Sequence, residues 1–186
     1  MMLQLIDDVN KALDAECYYS ALTLALTFPD ICGKAEYPKE KSTAKRYKDW
    51  YDDQIGRYEQ SPCEQCRDKP MPYLSGEVVY SLRNSLLHQG TPNIDVNGIK
   101  DGNNKIDLFE LAIESKNSFD IYGDSACIYN GCVRTYRVNV RRLCLILCLS
   151  AKAYYEKNKN KFDFFHCSII DWDSEVAMMR NLNEVR

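Results

Sequence analysis

Apolar residues recur at alternating steps of three and four along the first 28 residues, which is the spacing of one face of an α-helix. This stripe predicts a long amphipathic helix over residues 3–28, whose apolar face must be buried against other helices. Pro29 lacks an amide donor and disfavours helical geometry at the residue before it, so we expect a kink or a new start there, with Gly33 as a stop. The stripe consists of Leu5, Ile6, Val9, Leu13, Cys17, Ala21, Leu24 and Phe28.

Three further segments carry helical signals. Ser42 precedes one of them and Ser75 another, and serine is a preferred N-cap residue. Gly90 ends the second after about four turns, as glycine commonly does at helix C-termini. The apolar run at 143–151 is far shorter than the roughly 20 residues that cross a bilayer, so it predicts a buried part of a helix that starts near Val138.

Between the second and third of these segments, the pattern changes from helical to extended. Over residues of about 105–137, apolar and polar residues alternate, and β-branched and aromatic side chains are frequent. Asn130-Gly131 suits a tight hairpin turn. We therefore predict a mainly α fold, a helical bundle with a small antiparallel β insertion. A chain of 186 residues suffices for one core, so residues 1–186 are expected to form a single domain. The tail over 162–186 predicts a short extended piece and a weak terminal helix.

The formal charge of −3 argues against a protein that coats nucleic acid through net positive charge. Two local basic clusters occur, at 34–48 and at 134–142, and we interpret each as the solvated face of a regular element. The start "MMLQLIDDVN" has no basic segment and places Asp7 and Asp8 where a secretion signal is apolar, so a cytoplasmic location without membrane insertion is expected.

The nine cysteines cannot all pair internally, and a cytoplasmic location favours free thiols. Cys144 and Cys148 are four residues apart among leucines, and Cys127 and Cys132 lie in the expected hairpin, so all four are interpreted as core residues. Only "CEQC" at 63–66 has metal-ligand spacing. A structural zinc site needs further ligands, so a loop with two reduced thiols is favoured over zinc there, and no cofactor is predicted.

The stretch "SLRNSLLHQG" at 81–90 carries the candidate chemistry. Histidine is the side chain whose ordinary charge change lies near neutral pH, so His88 suits proton transfer with the 2′-hydroxyl or the leaving oxygen of RNA. Arg83 stays charged and can grip two phosphate oxygens, while Asn84 can orient the histidine or bind the phosphate. Arg83 and His88 are about 140° apart around a helix, so the arginine must curl toward the histidine, or a second copy must complete the site. The alternative is a histidine that stabilises the C-terminal dipole of its helix.

"LRNSLLHQG" resembles the R-N-x-x-x-H motif of the HEPN superfamily, and residues 5–155 resemble the organisation of an uncharacterised bacterial and plasmid-associated HEPN-like branch. The resemblance implies a metal-independent endoribonuclease of the toxin or phage-defence kind, with Arg83, Asn84 and His88 as the catalytic set. It also implies a homodimer whose two motifs share one cleft, RNA as the substrate, and an antitoxin protein as a partner. The chain departs from the family at Gly90, where antitoxin-paired members can carry an adenylylated tyrosine, and in its β insertion.

Several residues outside the motif have competing interpretations. Asp30, at the proline kink, can orient His88, or it can cap a helix after Pro29. His166 is interpreted as a packed or edge-strand residue. A third group could stack bases but is better explained by packing in the core or between subunits: Tyr18, Tyr19, Tyr47, Trp50 and Tyr51.

Two other functions compete with the nuclease. A non-catalytic HEPN-like module that binds a nucleotide or a protein is the main alternative, because a fold does not fix a function. A zinc-stabilised helical interaction protein that uses Cys63 and Cys66 is the other.

Overall fold

The computed structural model describes residues 1–59, 73–104, 106–113, 128–130, 133–165 and 170–184. In these ranges the protein is mainly helical, as predicted. The helices are α1 (Met2–Asp14), α2 (Tyr18–Ala25), α3 (Phe28–Glu36), α4 (Thr43–Tyr51), α5 (Arg57–Glu59), α6 (Gly76–Gln89), α7 (Val140–Lys157) and α8 (Trp172–Glu184). Three strands, β1 (Leu108–Ala112), β2 (Ile128–Asn130) and β3 (Val133–Asn139), lie between α6 and α7.

The predicted helix over residues 3–28 is divided into two. Most residues of its apolar stripe are buried on both sides of the division, which explains why the spacing continues, although Cys17 near the division is exposed. Glu16 adopts a positive φ of 60° and breaks the helix between α1 and α2. No glycine or proline marks this position, so the break left no signal in the sequence.

The expectation for Pro29 is confirmed, because α3 starts at Phe28 with the proline in its first turn. The predicted stop at Gly33 is wrong, since α3 continues to Glu36. A Cβ atom at Gly33 would lie 2.6 Å from the carbonyl oxygen of Arg46, so this glycine permits the close approach of α3 to α4.

Serine caps begin α4 and α6 as predicted. The Ser42 side chain accepts a hydrogen bond from the Lys45 amide at 3.2 Å, and that of Ser75 accepts one from Val78 at 3.4 Å. Helix α4 continues through a π-helical turn, Asp52–Gly56, before α5.

The core lies where α4 and α6 pack together and where α7 packs against α1, α2 and α3. Its largest fully buried side chains include Trp50, Tyr47 and Tyr51, so the interpretation of these aromatic residues as core is confirmed. Cys144 and Cys148 are also buried on α7, as predicted. In the part of the chain that the structure describes, none of the helices is long and apolar enough to cross a membrane.

The predicted antiparallel character of the β insertion is wrong for its longer pairing. β1 pairs with β3 in parallel, with Leu108 opposite Thr135 and Ala112 opposite Asn139. A parallel pair requires a long connection, and some twenty residues separate these two strands, so their chain spacing permits it. Only the short β2 pairs with β3 antiparallel, with Asn130 opposite Val133, and the sheet order is β1-β3-β2.

Several sequence predictions fall outside the described residues. They concern the thiols of Cys63, Cys66, Cys127 and Cys132, as well as His166.

Candidate active site at the C-terminal end of helix α6

Both ends of α6 are fixed by specific contacts. At its start, the Gly76 amide donates to Oδ1 of Asp52 at 2.6 Å, next to the Ser75 cap. At its end, Gly90 has a left-handed φ of 68°, which glycine adopts without a steric penalty. The Gly90 amide donates to the Leu86 carbonyl at 3.2 Å, and the Thr91 amide to that of Ser85 at 3.3 Å. This C-terminal motif sets the position of the last helical turn, which includes His88.

The guanidinium of Arg83 joins the three residues of the motif within a single protomer. Its Nη1 lies 3.0 Å from Nε2 of His88 and also donates to Oδ1 of Asn84 at 3.0 Å. The arginine therefore curls around the helix to the histidine, as its length allows. The histidine is exposed, whereas Arg83 and Asn84 are half-buried, so the group opens to solvent at its histidine end.

Asp30 holds the arginine from the opposite side. Its Oδ2 accepts a hydrogen bond from Nε of Arg83 at 3.0 Å and lies 2.9 Å from Nη2. Both side chains are mostly buried, with 18% of Arg83 and 19% of Asp30 exposed. Among the described residues, the aspartate thus contacts the arginine rather than His88, and its side chain makes no capping hydrogen bond in α3. It can act on the histidine only through Arg83.

The second carboxylate oxygen of Asp30 is buried and has no hydrogen-bond partner among the described residues. Burial raises the pKa of Asp30 above its ordinary value, and the charge and hydrogen bond of Arg83 offset part of that rise. Burial of this carboxylate therefore lowers the stability of the fold. Its two contacts with Arg83 hold the arginine side chain in one orientation.

The contact between Arg83 and His88 constrains the state of the imidazole. A guanidinium has five N–H donors and no acceptor, so the contact is a hydrogen bond only when Nε2 of His88 is unprotonated. The histidine then carries its proton on Nδ1. In this arrangement Nη1 holds the nitrogen lone pair that a general base would use.

Two tyrosines border the group and were not singled out as neighbours of the motif. Tyr47, on α4, is fully buried and donates from its hydroxyl to the Leu26 carbonyl at 3.1 Å. Burial raises the pKa of Tyr47 well above its usual value, and the charge of Asp30 adds to this rise. Tyr80, on α6, packs against Tyr47 with 5.2 Å between the ring centroids. Its position one turn before Arg83 and Asn84 is the sequence signal that could have identified it.

Several side chains of the two basic clusters pair with other groups of the protein. In the cluster at 134–142, Arg137 pairs with Glu110 at 2.7 Å across the parallel strands, and Arg141 donates to the Leu13 carbonyl at 3.1 Å. In the cluster at 34–48, Lys45 pairs with Asp49 at 2.7 Å. The exposed Lys45 agrees with the interpretation of the cluster at 34–48 as a solvated face, whereas Arg137 and Arg141 are half-buried.

No group of three or more histidine, cysteine, aspartate or glutamate side chains with the geometry of a metal site occurs among the described residues. In the comparisons with known proteins, no family model, curated protein or solved structure matches the chain.

Proposed function

We propose that the protein is a HEPN-like, metal-independent endoribonuclease whose active site is formed by Arg83, Asn84 and His88. The observation that carries the proposal is the 3.0 Å contact between Nη1 of Arg83 and Nε2 of His88. A permanent cation at this distance from an imidazole nitrogen that can accept a proton forms the pair that cleavage of RNA by its own 2′-hydroxyl requires.

The site works by exchange of partners on Nη1. A phosphate oxygen of the RNA takes the place of Nε2 of His88 and of Oδ1 of Asn84 on the guanidinium, because a charged acceptor binds it more strongly than a neutral one. The released imidazole nitrogen accepts the proton of the neighbouring 2′-hydroxyl. Asp30 keeps the arginine in place during the exchange through Nε and Nη2, which the substrate does not need.

The bond changes follow from these roles. The 2′-oxygen attacks the phosphorus while the bond from phosphorus to the 5′-oxygen breaks, which leaves a 2′,3′-cyclic phosphate and a 5′-hydroxyl. The leaving oxygen takes a proton from a protonated histidine, supplied by a second copy of the motif in a homodimeric cleft. One histidine thus gains a proton and the other loses one, and the pair is restored by proton exchange with solvent.

The biological setting that we propose is a bacterial toxin or phage-defence protein in the cytoplasm, restrained by an antitoxin. Expression should then slow the growth of the host, and Arg83→Ala should relieve the effect. Undiminished toxicity of this variant would contradict the assignment.

A non-catalytic HEPN-like module that binds a nucleotide or a protein is the second candidate. It is favoured by the pairing of Arg83 with Asp30, which already offsets the charge that a scissile phosphate would use. The two functions differ in a single respect that is easy to measure, since the module binds RNA or a nucleotide without changing it.

The test is incubation of the protein with transfer RNA or messenger RNA in the presence of a chelator. We expect cleavage by the wild type, loss of cleavage in His88→Ala, and retention in His166→Ala, which removes the other of the two histidines. Equal cleavage by wild type and His88→Ala would discard the catalytic assignment. Elution of the protein at the size of a monomer in chromatography would discard the two-copy cleft.

A further inference from the structure

Tyr80 lies on the face of α6 that carries the candidate site. At 100° per residue, it is about 60° from Arg83 and about 40° from Asn84 around the axis, and about 5 Å nearer the N-terminus. The three side chains therefore form neighbouring positions of one surface.

The contacts of Tyr80 fix its ring and leave part of it available. The ring meets that of Tyr47 edge to face, at an interplanar angle of 61°. Whichever ring contributes the edge, at least one face of Tyr80 is not covered by Tyr47. Tyr80 is half-buried, whereas Tyr47 is fully buried and is anchored through its hydroxyl. A ring that is held by contact with a neighbouring ring loses little conformational entropy when a base stacks on it.

We propose that Tyr80 forms a nucleobase subsite, on which the base next to the phosphate bound by Arg83 stacks. The inference rests on the proposed function for the position of that phosphate. Stacking on a tyrosine tolerates any base, because every base has a π face, so the subsite binds single-stranded RNA without selecting a sequence.

Two exposed tyrosines lie on helices other than α6. Tyr19 is 58% exposed on α2 and Tyr58 is 77% exposed on α5. Neither belongs to the motif helix, so each supplies a control that removes an exposed ring without affecting the subsite.

The experiment measures binding separately from cleavage. The probe is a short single-stranded RNA of mixed sequence with 2′-O-methyl groups, which cannot be cut by 2′-oxygen attack, and with the fluorescent base 2-aminopurine placed at each position in turn. We expect the wild type to quench one position strongly, because stacking on an aromatic ring quenches this base. Tyr80→Leu should abolish the quenching and weaken binding about tenfold. Tyr80→Phe, which keeps the ring, and Tyr19→Leu should leave both unchanged.

Because Tyr80 also packs against a core residue, Tyr80→Leu could lower stability, and Tyr80→Trp provides an independent measurement. The larger ring should quench and bind at least as well as tyrosine. Wild-type affinity in Tyr80→Leu, or absence of quenching by both wild type and Tyr80→Trp, would overturn the subsite.

The result is distinguishable from a failure of the nuclease proposal. Cleavage of unmodified RNA that is unaffected in Tyr80→Leu would overturn the subsite and leave the nuclease intact. Quenching that depends on Tyr80 in a protein that cuts no RNA would support the subsite and reject the nuclease.

Discussion

Two arginine–carboxylate pairs of this protein differ in how completely they are satisfied. Arg142, on α7, donates from Nη1 to Oε2 of Glu59 at 3.1 Å and from Nη2 to Oε1 at 2.8 Å, so both carboxylate oxygens have partners. Arg83 instead directs Nε and Nη2 at one oxygen of Asp30 and leaves the other buried and without a partner among the described residues. Its Nη1 contacts His88 and Asn84.

The difference separates a structural pair from one that is ready to exchange partners. In the pair of Arg142 and Glu59, two parallel hydrogen bonds satisfy a carboxylate that is only 9% exposed. This geometry is that of a structural ion pair. Arg83, in contrast, directs Nη1 at the side chains of His88 and Asn84, which a phosphate oxygen can replace. From this comparison we expect Arg83 variants to lose activity as well as stability, and Arg142 variants to lose stability alone.

The largest effect is expected from Arg83→Ala. Removal of the cation that stabilises the transition state should lower kcat/KM for RNA by about 100- to 1000-fold. The free energy of unfolding should also fall, by about 3 kcal/mol, because Asp30 is left mostly buried without its ion-pair partner. Arg83→Lys should restore little activity, because an ammonium cannot contact Asp30 and the phosphate as a planar fork. Cleavage rates and urea denaturation measure the two quantities. A variant that is strongly destabilised but fully active would reverse the comparison.

Arg142→Ala should lower stability without lowering activity. It leaves Glu59 buried without its ion-pair partner, which we expect to lower the free energy of unfolding by about 3 kcal/mol. The cleavage rate of the fraction that remains folded should stay close to that of the wild type. Urea denaturation combined with activity below the unfolding midpoint tests this, and a selective loss of activity would remove the distinction between the two pairs.

Asp30→Asn should have an intermediate effect. The amide keeps the shape of the side chain but loses the charge that orients Arg83, so we expect kcat to fall roughly tenfold with little change in KM. Steady-state kinetics on one RNA, with Asp53→Asn as a matched change at an exposed carboxylate, provides the measurement. If kcat of Asp30→Asn equals that of the control, Asp30 has no positioning role.

An effect of pH on stability is expected from the two thiols that are buried on α7. Burial raises the pKa of Cys144 and of Cys148 to about 12, so these thiols stay protonated in the folded protein where unfolded thiols, with pKa near 8.5, already ionise. Their contribution to stability is fully present below about pH 8 and is lost as the pH rises toward 12. Between pH 8 and pH 10 we expect a loss of about 2 kcal/mol per thiol. Urea denaturation at several pH values measures this loss, which should be smaller in the Cys144→Ala/Cys148→Ala variant. Equal losses in the variant and the wild type would show that water reaches these thiols.

The sequence predicted those features that depend on local chemistry. The caps at Ser42 and Ser75 and the stop at Gly90 follow from side chains that satisfy or permit particular backbone geometries. The break at Glu16 has no such signal, because the apolar spacing continues through it. The parallel pairing of β1 with β3 depends on which strands meet in space, and neither the alternation nor the turn residues encode that.

The site was predictable to a similar extent. The motif supplied Arg83, Asn84 and His88, but their helical spacing left open whether one chain could bring the arginine to the histidine. The direction in which the arginine curls is set by Asp30, which is 53 residues away along the chain. The same holds for Tyr80, whose importance depends on the packing of α4 against α6.

The nature of the RNA ends tests the central claim most directly. Wild-type protein acting on RNA in the presence of a chelator should yield 2′,3′-cyclic phosphate and 5′-hydroxyl ends, and RNA without 2′-hydroxyl groups should stay intact. Products with 3′-hydroxyl and 5′-phosphate ends, or cutting of the modified RNA, would contradict attack by a 2′-oxygen that His88 activates beside Arg83.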